Sequence, residues 1–456
     1  MKTLKYILFF ASALIFFQGC GKDDWSPSFA DDELPKIYFS NWSGIQTAGI
    51  GTTLKWVPIV SPSDGATFKW TKNGEVLSEE KDFEYTMEIL EEFELKFEVT
   101  RNGISTHRVA DIIATKPFEP KVYNKKVIAY IDAMDGTLSD INWDAITHIV
   151  ISSLIVGENE AGSGVDAIDI DFEFTGSTLD INTLVALAHN NGVYVSLQVS
   201  GKHNKVNSLP SYEEATFYNA INTPEKRNFL ITTLLDFVEE TGLDGLDIYM
   251  DKPHDGAYPS ADTRAHVASF YQELADRVPT ENADGFDFYL SISTYVGWLR
   301  DHNTAFASID RYDWVSVLAI AQEDLTPVPH SSAWSCSDNA AFWIANGVPA
   351  EKIIITSPAF SITYDLEGRV PPTWPTLEDY TQYGTYRDLL ISYPDAHNAN
   401  SQDVASGLFY DGFPAIEEKA QMVIDNNYAG MALWKISDDV KDERSLITKI
   451  NTALGN

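Results

Sequence analysis

The sequence predicts an α/β protein, a (β/α)8 TIM barrel preceded by a small all-β sandwich. Two patterns in the 456 residues lead to this prediction. Up to about Thr115, short strands of alternating polarity are separated by turn signals. Beyond residue 122, apolar β-branched runs alternate with helical stretches. The hydrophobic content of 44% is enough to form a packed core in each part.

The N-terminus has the form of an export signal. Lys2 and Lys5 begin a leader whose apolar run, residues 6–17, falls short of the roughly 20 residues that cross a membrane. The run ends at Gly19 and Cys20, a small residue before cysteine, which resembles a bacterial lipoprotein signal. We therefore predict a signal peptide over 1–19 and lipidation at Cys20; the alternative is an ordinary signal peptide with an incidental cysteine.

The residues after Cys20 indicate the destination of the protein. Gly21-Lys22-Asp23-Asp24 resembles a basic-then-acidic tag that sends some lipoproteins to the cell surface. The polar, acidic segment 20–34 is predicted to be a tether without its own fold. The expected location is the outer membrane, with the protein anchored by its N-terminal lipid and exposed at the cell surface.

Composition excludes several kinds of partner. The formal charge of −35, from 67 acids and 32 bases, repels phosphate backbones, so no nucleic acid is expected to bind. The nine histidines form no metal-ligand pattern and no Gly-rich phosphate loop is visible, so we expect no metal and no cofactor. Once Cys20 carries lipid, Cys336 has no disulfide partner, and we expect it to be buried in a helix.

Residues 35–116 are predicted to form the sandwich. Turn signals such as Lys72-Asn73-Gly74 and Arg101-Asn102-Gly103 separate short strands with alternating faces. The stretch FKWTKNGEVL resembles the strand of immunoglobulin-like domains that carries a buried tryptophan. Trp70 is therefore expected in the core of an immunoglobulin-like domain.

Residues 122–456 are predicted to form the barrel. Helical patterns lie between eight apolar strand candidates and end at signals such as Asn191-Gly192 and Thr241-Gly242. Eight such units indicate a closed parallel barrel, whose working residues lie at the C-terminal ends of the strands. The eight candidates are KVIAYI (126–131), THIVISSL (147–154), VYVSLQV (193–199), DGLDIYM (244–250), FDFYLSI (286–292), DWVSVLAI (313–320), KIIITS (352–357) and YAGMALW (428–434).

The fourth of these strands resembles a family signature. ETGLDGLDIYMDKP, residues 240–253, is similar to the DGxDxDxE motif of glycoside hydrolase family 18, which contains chitinases and endo-β-N-acetylglucosaminidases. The first, second, third and eighth strands also resemble those of the family. The resemblance places Tyr130 and Trp434 at the sugar site, Trp434 as its floor, and we include Asp244 among the candidate substrate-binding residues.

The signature of this chain differs from that of the family at the catalytic positions. Residues two apart on a strand share a face, so Asp247, Tyr249 and Asp251 should point into the barrel. In the family the last of these positions is the glutamate that acts as general acid. The middle one is an aspartate that orients the substrate's own 2-acetamido group, whose carbonyl attacks the anomeric carbon. Here Asp251 and Tyr249 replace them.

Both replacements should weaken hydrolysis. Aspartate is one methylene shorter than glutamate, and a displacement of about 1 Å can cost about 100-fold in a preorganised site. A phenol carries no negative charge at pH 7. The sixth strand differs too, because the family's Met-x-Tyr-Asp is Leu318-Ala319-Ile320-Ala321 in this chain. Asp251, Asp247 and Tyr249 are thus candidates for a degenerate catalytic site.

Aromatic residues in the predicted loops are further candidates for a sugar groove. Tyr295 and Trp298 follow the fifth strand, and Trp374 lies in the long segment after the seventh. Loops at the C-terminal face of a barrel carry its binding residues, and aromatic faces stack on sugars. Each of them, taken alone, is more often a packing residue than part of a sugar subsite.

An acidic segment after the second strand matches the same residue pattern as the signature. VDAIDIDFEF satisfies D-x-x-D-x-D-x-E over Asp166 to Glu173, but it follows the second strand through a Gly-rich turn with no helix between them. Strict alternation of acids with apolar residues predicts a hairpin strand with a solvated acidic face. The alternative is that Glu173 reaches the groove from this loop.

Three classes of function remain open. The first, which we favour, is a surface lipoprotein that recognises N-acetylglucosamine-containing glycans, as an oligosaccharide or on a glycoprotein, and that has lost hydrolysis. The second is an active glycosidase of the endo-β-N-acetylglucosaminidase or chitinase type, with its acid supplied by Asp251 or Glu173. The third is a scaffold for a protein partner. Sugar binding with and without turnover separates the first two, and absence of sugar binding favours the third.

Overall fold

A computed structural model of the chain describes residues 34–132, 138, 141–158, 168–172, 180–201, 203–205, 213–250, 260–294, 304–320, 331–364, 380–402 and 408–456. The chain divides into two compact units between Ile112 and Ile113. The predicted signal peptide and Cys20 lie outside the described residues. Within the described ranges, no helix combines the length and the apolar character needed to cross a bilayer.

The first unit is an all-β domain of antiparallel strands. Its main sheet has the order β2-β9-β8-β5-β6, and β1 pairs with β4 and β3 with β7. The strands are β1 Lys36–Tyr38, β2 Ile45–Gly49, β3 Thr53–Trp56, β4 Ile59–Ser61, β5 Thr67–Lys72, β6 Glu75–Ser78, β7 Phe83–Thr86, β8 Glu92–Arg101 and β9 Ile104–Thr115.

Trp70 lies at the centre of this domain, as the sequence predicts. Its side chain is fully buried, 4.4 Å from Phe97 and 5.2 Å from Phe83 between ring centroids. Asn73 and Asn102 have positive φ angles of 49° and 50° and each precedes a glycine with positive φ. Both predicted Asn-Gly turns are therefore present, because two consecutive positive φ angles suit the twist of a tight hairpin.

The second unit is a closed barrel of eight parallel strands. The order is β10-β24-β19-β18-β17-β16-β13-β11, and pairing of β10 with β11 closes the ring. All eight predicted strands are present: β10 Lys126–Asp132, β11 His148–Glu158, β13 Tyr194–Gly201, β16 Gly245–Tyr249, β17 Tyr289–Thr294, β18 Trp314–Val317, β19 Ile353–Pro358 and β24 Gly430–Trp434.

Helices cover the outside of the barrel. Side chains at the N-termini of several helices accept a backbone N–H, among them Asp180 from Thr183. Gly242 ends the longest described helix in the left-handed conformation that glycine favours (φ 68°). The described helices are α1 Ile181–Asn190, α2 Thr216–Ile221, α3 Pro224–Thr241, α4 Ala261–Ala275, α5 Ala333–Ala345, α6 Tyr386–Ser392, α7 Phe413–Asp425 and α8 Leu446–Ala453.

Two apolar clusters stabilise the barrel. The larger lies between the strands and the helices and includes Leu246, Ile248 and Cys336, which is buried on α5 as predicted. The smaller fills the barrel interior and includes Tyr130 and Trp314. The alternation of side chains along each strand produces this division.

Further short strands surround the C-terminal end of the barrel. Strand β12 (Ile168–Phe172) pairs antiparallel with β11, which agrees with the predicted hairpin. Two short strands, β14 (His203–Lys205) and β15 (Glu213–Ala215), form a separate hairpin. A four-stranded antiparallel sheet that the sequence analysis did not predict lies between β19 and α7; it consists of β20 Phe360–Tyr364, β21 Tyr380–Thr385, β22 Ser401–Gln402 and β23 Leu408–Phe409.

Candidate functional site

The candidate site is built around strand β16. Gly245 begins this strand, and a Cβ atom at that position would lie 2.5 Å from the Tyr289 carbonyl oxygen, so only glycine permits β16 to pair this closely with β17. Leu246 and Ile248 pack outward against the helices, whereas Tyr249 packs against the cluster inside the barrel. The alternation predicted from the sequence is therefore present.

Asp247 is the buried acid of the site. Its side chain is 0% exposed. Oδ1 accepts a hydrogen bond from Ser291 Oγ at 2.7 Å, and Oδ2 accepts from Ser293 Oγ at 2.6 Å and from Gln198 Nε2 at 2.8 Å. Three donors on two neighbouring strands therefore hold the carboxylate below the opening of the barrel.

Burial and hydrogen bonding act in opposite directions on this acid. Desolvation raises the pKa of Asp247 above its ordinary value, while the hydrogen bonds from Ser293, Ser291 and Gln198 lower it. Because these groups all donate to the carboxylate, they favour its ionised form.

The same network includes Tyr130. Its hydroxyl lies 2.8 Å from Ser293 Oγ. Since the single proton of Ser293 is donated to Asp247, the tyrosine hydroxyl donates to Ser293. Burial raises the pKa of Tyr130 well above its ordinary value, and the charge of Asp247 acts in the same direction. The phenol therefore remains protonated.

Trp434 lies next to Tyr130 at the end of β24. The two rings are 5.0 Å apart between centroids, with an interplanar angle of 44°. Trp434 is partly buried, whereas Tyr130 is fully buried. The structure therefore brings together two residues that the family resemblance assigned to the sugar site, and Trp434 is the more accessible of them.

Tyr249, Leu318 and Ile320 are associated with the same inner cluster as these rings. Leu318 and Ile320 follow the end of β18, are 2% and 8% exposed, and belong to the inner cluster with Tyr130. Tyr249 and Trp434 pack against the same cluster. We call Tyr249, Leu318, Ile320 and Trp434 the apolar tier; it lies at the C-terminal strand ends, beyond the network of Asp247.

Asp244 does not belong to this group. It precedes β16 at the opposite, N-terminal end of the strand and is 0% exposed. Its carboxylate accepts from the Val195 backbone N–H at 2.7 Å and from Asn282 Nδ2 at 2.7 Å, and it lies 2.9 Å from His189 Nε2. These contacts fasten β16 to its surroundings at the strand end opposite to Tyr249, and the substrate-binding role of Asp244 stays a prediction.

Several predicted residues lie outside the described part of the chain. They are Asp251, Tyr295, Trp298, Trp374, Asp166 and Glu173. Of the acidic segment, the structure gives the backbone of β12, in which Asp169 pairs with Gly157 and Asp171 with Ile155. The roles of these residues therefore stay predictions.

The sequence analysis missed the donors that surround Asp247. Gln198, Ser291 and Ser293 are buried on β13 and β17, where polar and apolar residues alternate. The sequence does contain a sign of this network: polar residues occur at every second position of these strands. Because the strands are buried, such residues must find hydrogen-bond partners inside the barrel. Among the described residues, no three His, Cys, Asp or Glu side chains form a group that could hold a metal ion.

The fold and the site together define a class. A closed parallel barrel with a buried acid on its fourth strand and an aromatic residue at the end of its eighth has the arrangement of a (β/α)8 enzyme scaffold. Residues 126–439 match the model of the glycosyl hydrolases family 18, and this match covers more than half of the chain. The protein belongs to that family. Residues 35–101 match a PKD-like domain, which is an immunoglobulin-like fold.

Comparisons with individual proteins agree with this assignment. A chitinase-like effector of Moniliophthora roreri is 24% identical over 284 residues, which are 58% of this chain and 62% of that relative. The chain thus spans less than two thirds of the relative's length.

Two solved structures share the barrel fold. A chitinase from Bacteroides thetaiotaomicron has a TM-score of 0.55 and 20% identity, covering 73% of this chain and 96% of that one. Human YKL-39, described as a pseudo-chitinase with retained chitooligosaccharide binding properties, has a TM-score of 0.53 and 15% identity, covering 73% of this chain and 100% of that one.

Proposed function

We propose that the barrel binds N-acetylglucosamine-containing glycans at its C-terminal opening and does not hydrolyse them at a useful rate. The observation that carries this proposal is Tyr249, which stands two residues after Asp247 and packs against the inner cluster with Trp434. The platform for a sugar ring is therefore retained, while the carboxylate that the family uses to hold the acetamide is replaced by a phenol.

The proposal follows from what substrate-assisted hydrolysis needs. The acetamide must be oriented and its developing positive charge stabilised while an acid protonates the leaving oxygen. Tyr249 is uncharged at neutral pH, and Asp247 is held by three donors beneath it. Neither can take the part of the missing aspartate.

The sixth strand supports the same conclusion. Ile320 stands where the family has a tyrosine, and its side chain is 8% exposed within the inner cluster. A branched hydrocarbon offers no hydroxyl to steady an acetamide. Human YKL-39, which has a similar barrel, is described as a pseudo-chitinase that retains chitooligosaccharide binding. Binding without cleavage is therefore compatible with this fold.

One observation favours an active glycosidase as the second candidate. Strand β12 pairs antiparallel with β11. Strand β11 extends beyond Val156, the last of its residues that pairs with β13. Glu173 directly follows β12 in the sequence. An acid carried by this hairpin would be supplied from the wall of the barrel and not from β16.

A glycan-release assay separates the two candidates. The purified mature protein is incubated with N-glycoproteins and chito-oligosaccharides, and released sugars are measured by mass spectrometry; we expect binding without release. Robust release that is lost in Asp251→Ala would show that an aspartate suffices as the acid. Release that survives Asp251→Ala but is lost in Glu173→Gln would assign the chemistry to the hairpin. Either result contradicts the non-hydrolytic function.

We also propose that the protein is an outer-membrane lipoprotein exposed at the cell surface. The support is in the sequence alone: the short apolar run, Gly19 before Cys20, and the acidic residues Asp23 and Asp24. A tether of this kind would present the barrel to extracellular glycans while the lipid holds the N-terminus.

A further inference from the structure

A buried ion pair lies outside the candidate site, where the inserted sheet (β20–β23) leads back to the barrel. Lys419 on α7 is 0% exposed, and Asp411, between β23 and α7, is 1% exposed. Lys419 Nζ donates to Asp411 Oδ2. It also donates to Ser331 Oγ at 2.8 Å and to Ser357 Oγ at 3.1 Å. All three hydrogens of the ammonium group therefore have an acceptor, and we call these four residues the polar lock.

Ion pairing alone does not account for this arrangement. Taking two charges out of water is costly, and apolar side chains of similar volume often stabilise a protein interior as well or better. The hydrogen bonds of the polar lock are directional, however, because three oxygen atoms must meet one nitrogen atom. Such a contact fixes the relative positions of the segments that supply the oxygen atoms, which apolar packing does less strictly.

The residues of the polar lock come from separate segments of the barrel unit. Ser357 lies on β19, Ser331 precedes the N-terminal cap of α5, and Asp411 follows β23 by two residues. Lys419 is 62 residues from Ser357 and 88 residues from Ser331 in sequence. The ammonium group therefore ties the exit of the inserted sheet to a barrel strand and to the start of a barrel helix.

Backbone hydrogen bonds hold the other end of the inserted sheet. Ala359 N–H donates to the Trp434 carbonyl oxygen at 2.7 Å, and the Ala359 carbonyl oxygen accepts from Tyr386 N–H at 2.9 Å. Phe360, the first residue of β20, therefore follows a residue that is bonded to the end of β24. Side-chain substitutions leave these backbone groups in place, so the polar lock is the attachment that variants can remove selectively.

The inserted sheet connects the polar lock with the inner cluster. Phe409 on β23 pairs with Ile362 on β20, and the two side chains form a small buried cluster against which Phe360 packs. Phe360 also packs against the inner cluster of the barrel, as Trp434 does. A displacement of β23 would therefore reach the inner cluster through β20 and Phe360.

We propose that Lys419 and Asp411 are positioning residues: their ion pair fixes the inserted sheet against the barrel and thereby keeps the C-terminal opening in the form that binds a glycan. The two residues act through β23, β20 and Phe360. The effect on glycan affinity rests on the proposed glycan-binding function, whereas the effect on the inserted sheet does not.

The test replaces the ion pair without leaving a lone buried charge. Lys419→Met with Asp411→Leu supplies apolar side chains in place of both charges, so the variant is expected to fold. Hydrogen exchange measured by mass spectrometry should be faster by about tenfold in β20–β23 and unchanged in β13 and β16, because only the inserted sheet loses an attachment. Titration calorimetry should show an affinity for chitotetraose that is weaker by about tenfold.

The matched control is Arg227→Met with Glu273→Gln. Arg227 is 5% exposed, and its Nε donates to Glu273 Oε1 at 2.9 Å, which joins α3 and α4. Loss of this pair should leave the exchange of β20–β23 and the affinity for chitotetraose unchanged. Equal effects in the control and in the test variant contradict the proposal, because they would reflect a general loss of stability.

Ser357→Ala is the second variant, used if the double variant fails to fold, because it removes one of the three hydrogen bonds of Lys419. It should change both measurements in the same direction by about threefold. Unchanged exchange in β20–β23 of a folded variant overturns the proposal, and so does faster exchange with unchanged affinity. If the unmodified protein binds no chitotetraose, the proposed function fails together with the effect on affinity, and the exchange measurements still decide whether the ion pair fixes the inserted sheet.

Discussion

Asp247 and Tyr249 lie two residues apart on one face of β16 and differ in their surroundings. Asp247 is completely buried and held by Ser291, Ser293 and Gln198. These contacts stabilise the interior of the barrel, because removing a donor leaves a buried charge with fewer partners. The catalytic role assigned to Asp247 stays a prediction. Tyr249 is closer to the opening, and under the proposed function its side chain faces the bound glycan.

The network around Asp247 should be sensitive to the loss of one hydroxyl. Ser293→Ala removes the 2.6 Å hydrogen bond to Asp247 and the 2.8 Å contact to Tyr130, and is expected to lower the free energy of unfolding by about 1–3 kcal/mol. Denaturant unfolding measures the change. The matched control is Thr356→Val, because Thr356 Oγ1 is buried with no hydrogen-bond partner among the described residues. Equal losses in the two variants would contradict the role given to the network.

Trp434 should carry a large part of glycan binding. Trp434→Ala is expected to weaken the affinity for a bound oligosaccharide by about 1–3 kcal/mol, the magnitude typical of losing a large apolar contact. Titration calorimetry measures the change, with the fold checked by circular dichroism. Trp334→Ala serves as the control, because that side chain on α5 is 70% exposed and lies outside the inner cluster. Unchanged affinity in Trp434→Ala would place the sugar elsewhere.

At the scale of elements, β11 combines two different tasks. Its first residue, His148, lies fully buried among aromatic rings at the N-terminal end of the barrel, with Tyr194 at 5.2 Å and Tyr289 at 5.0 Å between centroids. Its last residues, up to Glu158, extend into the hairpin with β12. One strand thus contributes to the stability of the barrel at one end and to the wall of the opening at the other.

His148 should make the barrel sensitive to acid. Burial lowers the pKa of His148 well below its ordinary value, and the charge of Lys126 acts in the same direction. Below pH 6.5, His148 therefore binds a proton in the unfolded chain but not in the folded chain. The contribution to stability is present above pH 6.5 and falls by about 1.4 kcal/mol per pH unit as the pH decreases toward the folded-state pKa.

The variant His148→Phe isolates this effect. It keeps a ring among the aromatic neighbours and removes the titrating group, so the difference in unfolding free energy between the native protein and the variant should change with pH below 6.5. Denaturant unfolding at several pH values measures it. The control is Tyr194→Phe, which alters a neighbouring ring without removing a group that titrates near pH 6.5, and it should show no such difference. A pH-independent difference for His148→Phe would contradict the proposed cause.

For the whole molecule, the acidic net charge is consistent with the predicted lipid anchor. A formal charge of −35 keeps a protein soluble and away from anionic surfaces. Under the lipoprotein proposal, attachment to a membrane therefore depends on the covalent lipid at Cys20. The two domains themselves belong to recognised classes, a PKD-like domain and a family 18 barrel.

The anchor can be tested by one substitution. Cys20→Ser should abolish acylation and move the protein from the membrane fraction to the soluble fraction, because no lipid then joins it to the bilayer. Cell fractionation with immunoblotting measures the shift. As a control, replacing Asp23 and Asp24 with asparagine should keep acylation and reduce accessibility to protease on intact cells. A Cys20→Ser protein that still fractionates with membranes would contradict the lipoprotein proposal.

The architecture of both domains follows from local patterns in the sequence. The eight barrel strands, the Asn-Gly turns of the first domain, the burial of Trp70 and the hairpin after β11 all depend on patterns within about ten residues of chain. Such periodicities of two and 3.6 residues, with their turn signals, are visible without knowledge of distant contacts. The departures at Tyr249 and Ile320 were equally visible, because a family signature fixes which residue type each position needs.

The contacts between polar residues, in contrast, depend on parts of the chain that are far apart in sequence. Asp247 contacts partners 44, 46 and 49 residues away, and these separations carry no local signal. Asp244 was grouped with the site because it belongs to the same motif, yet it precedes the strand at the opposite end of the barrel. Three residues of extended strand span about 10 Å, which is enough to separate a structural acid from the opening. The inserted sheet between β19 and α7 likewise forms from short strands whose pairing depends on distant chain.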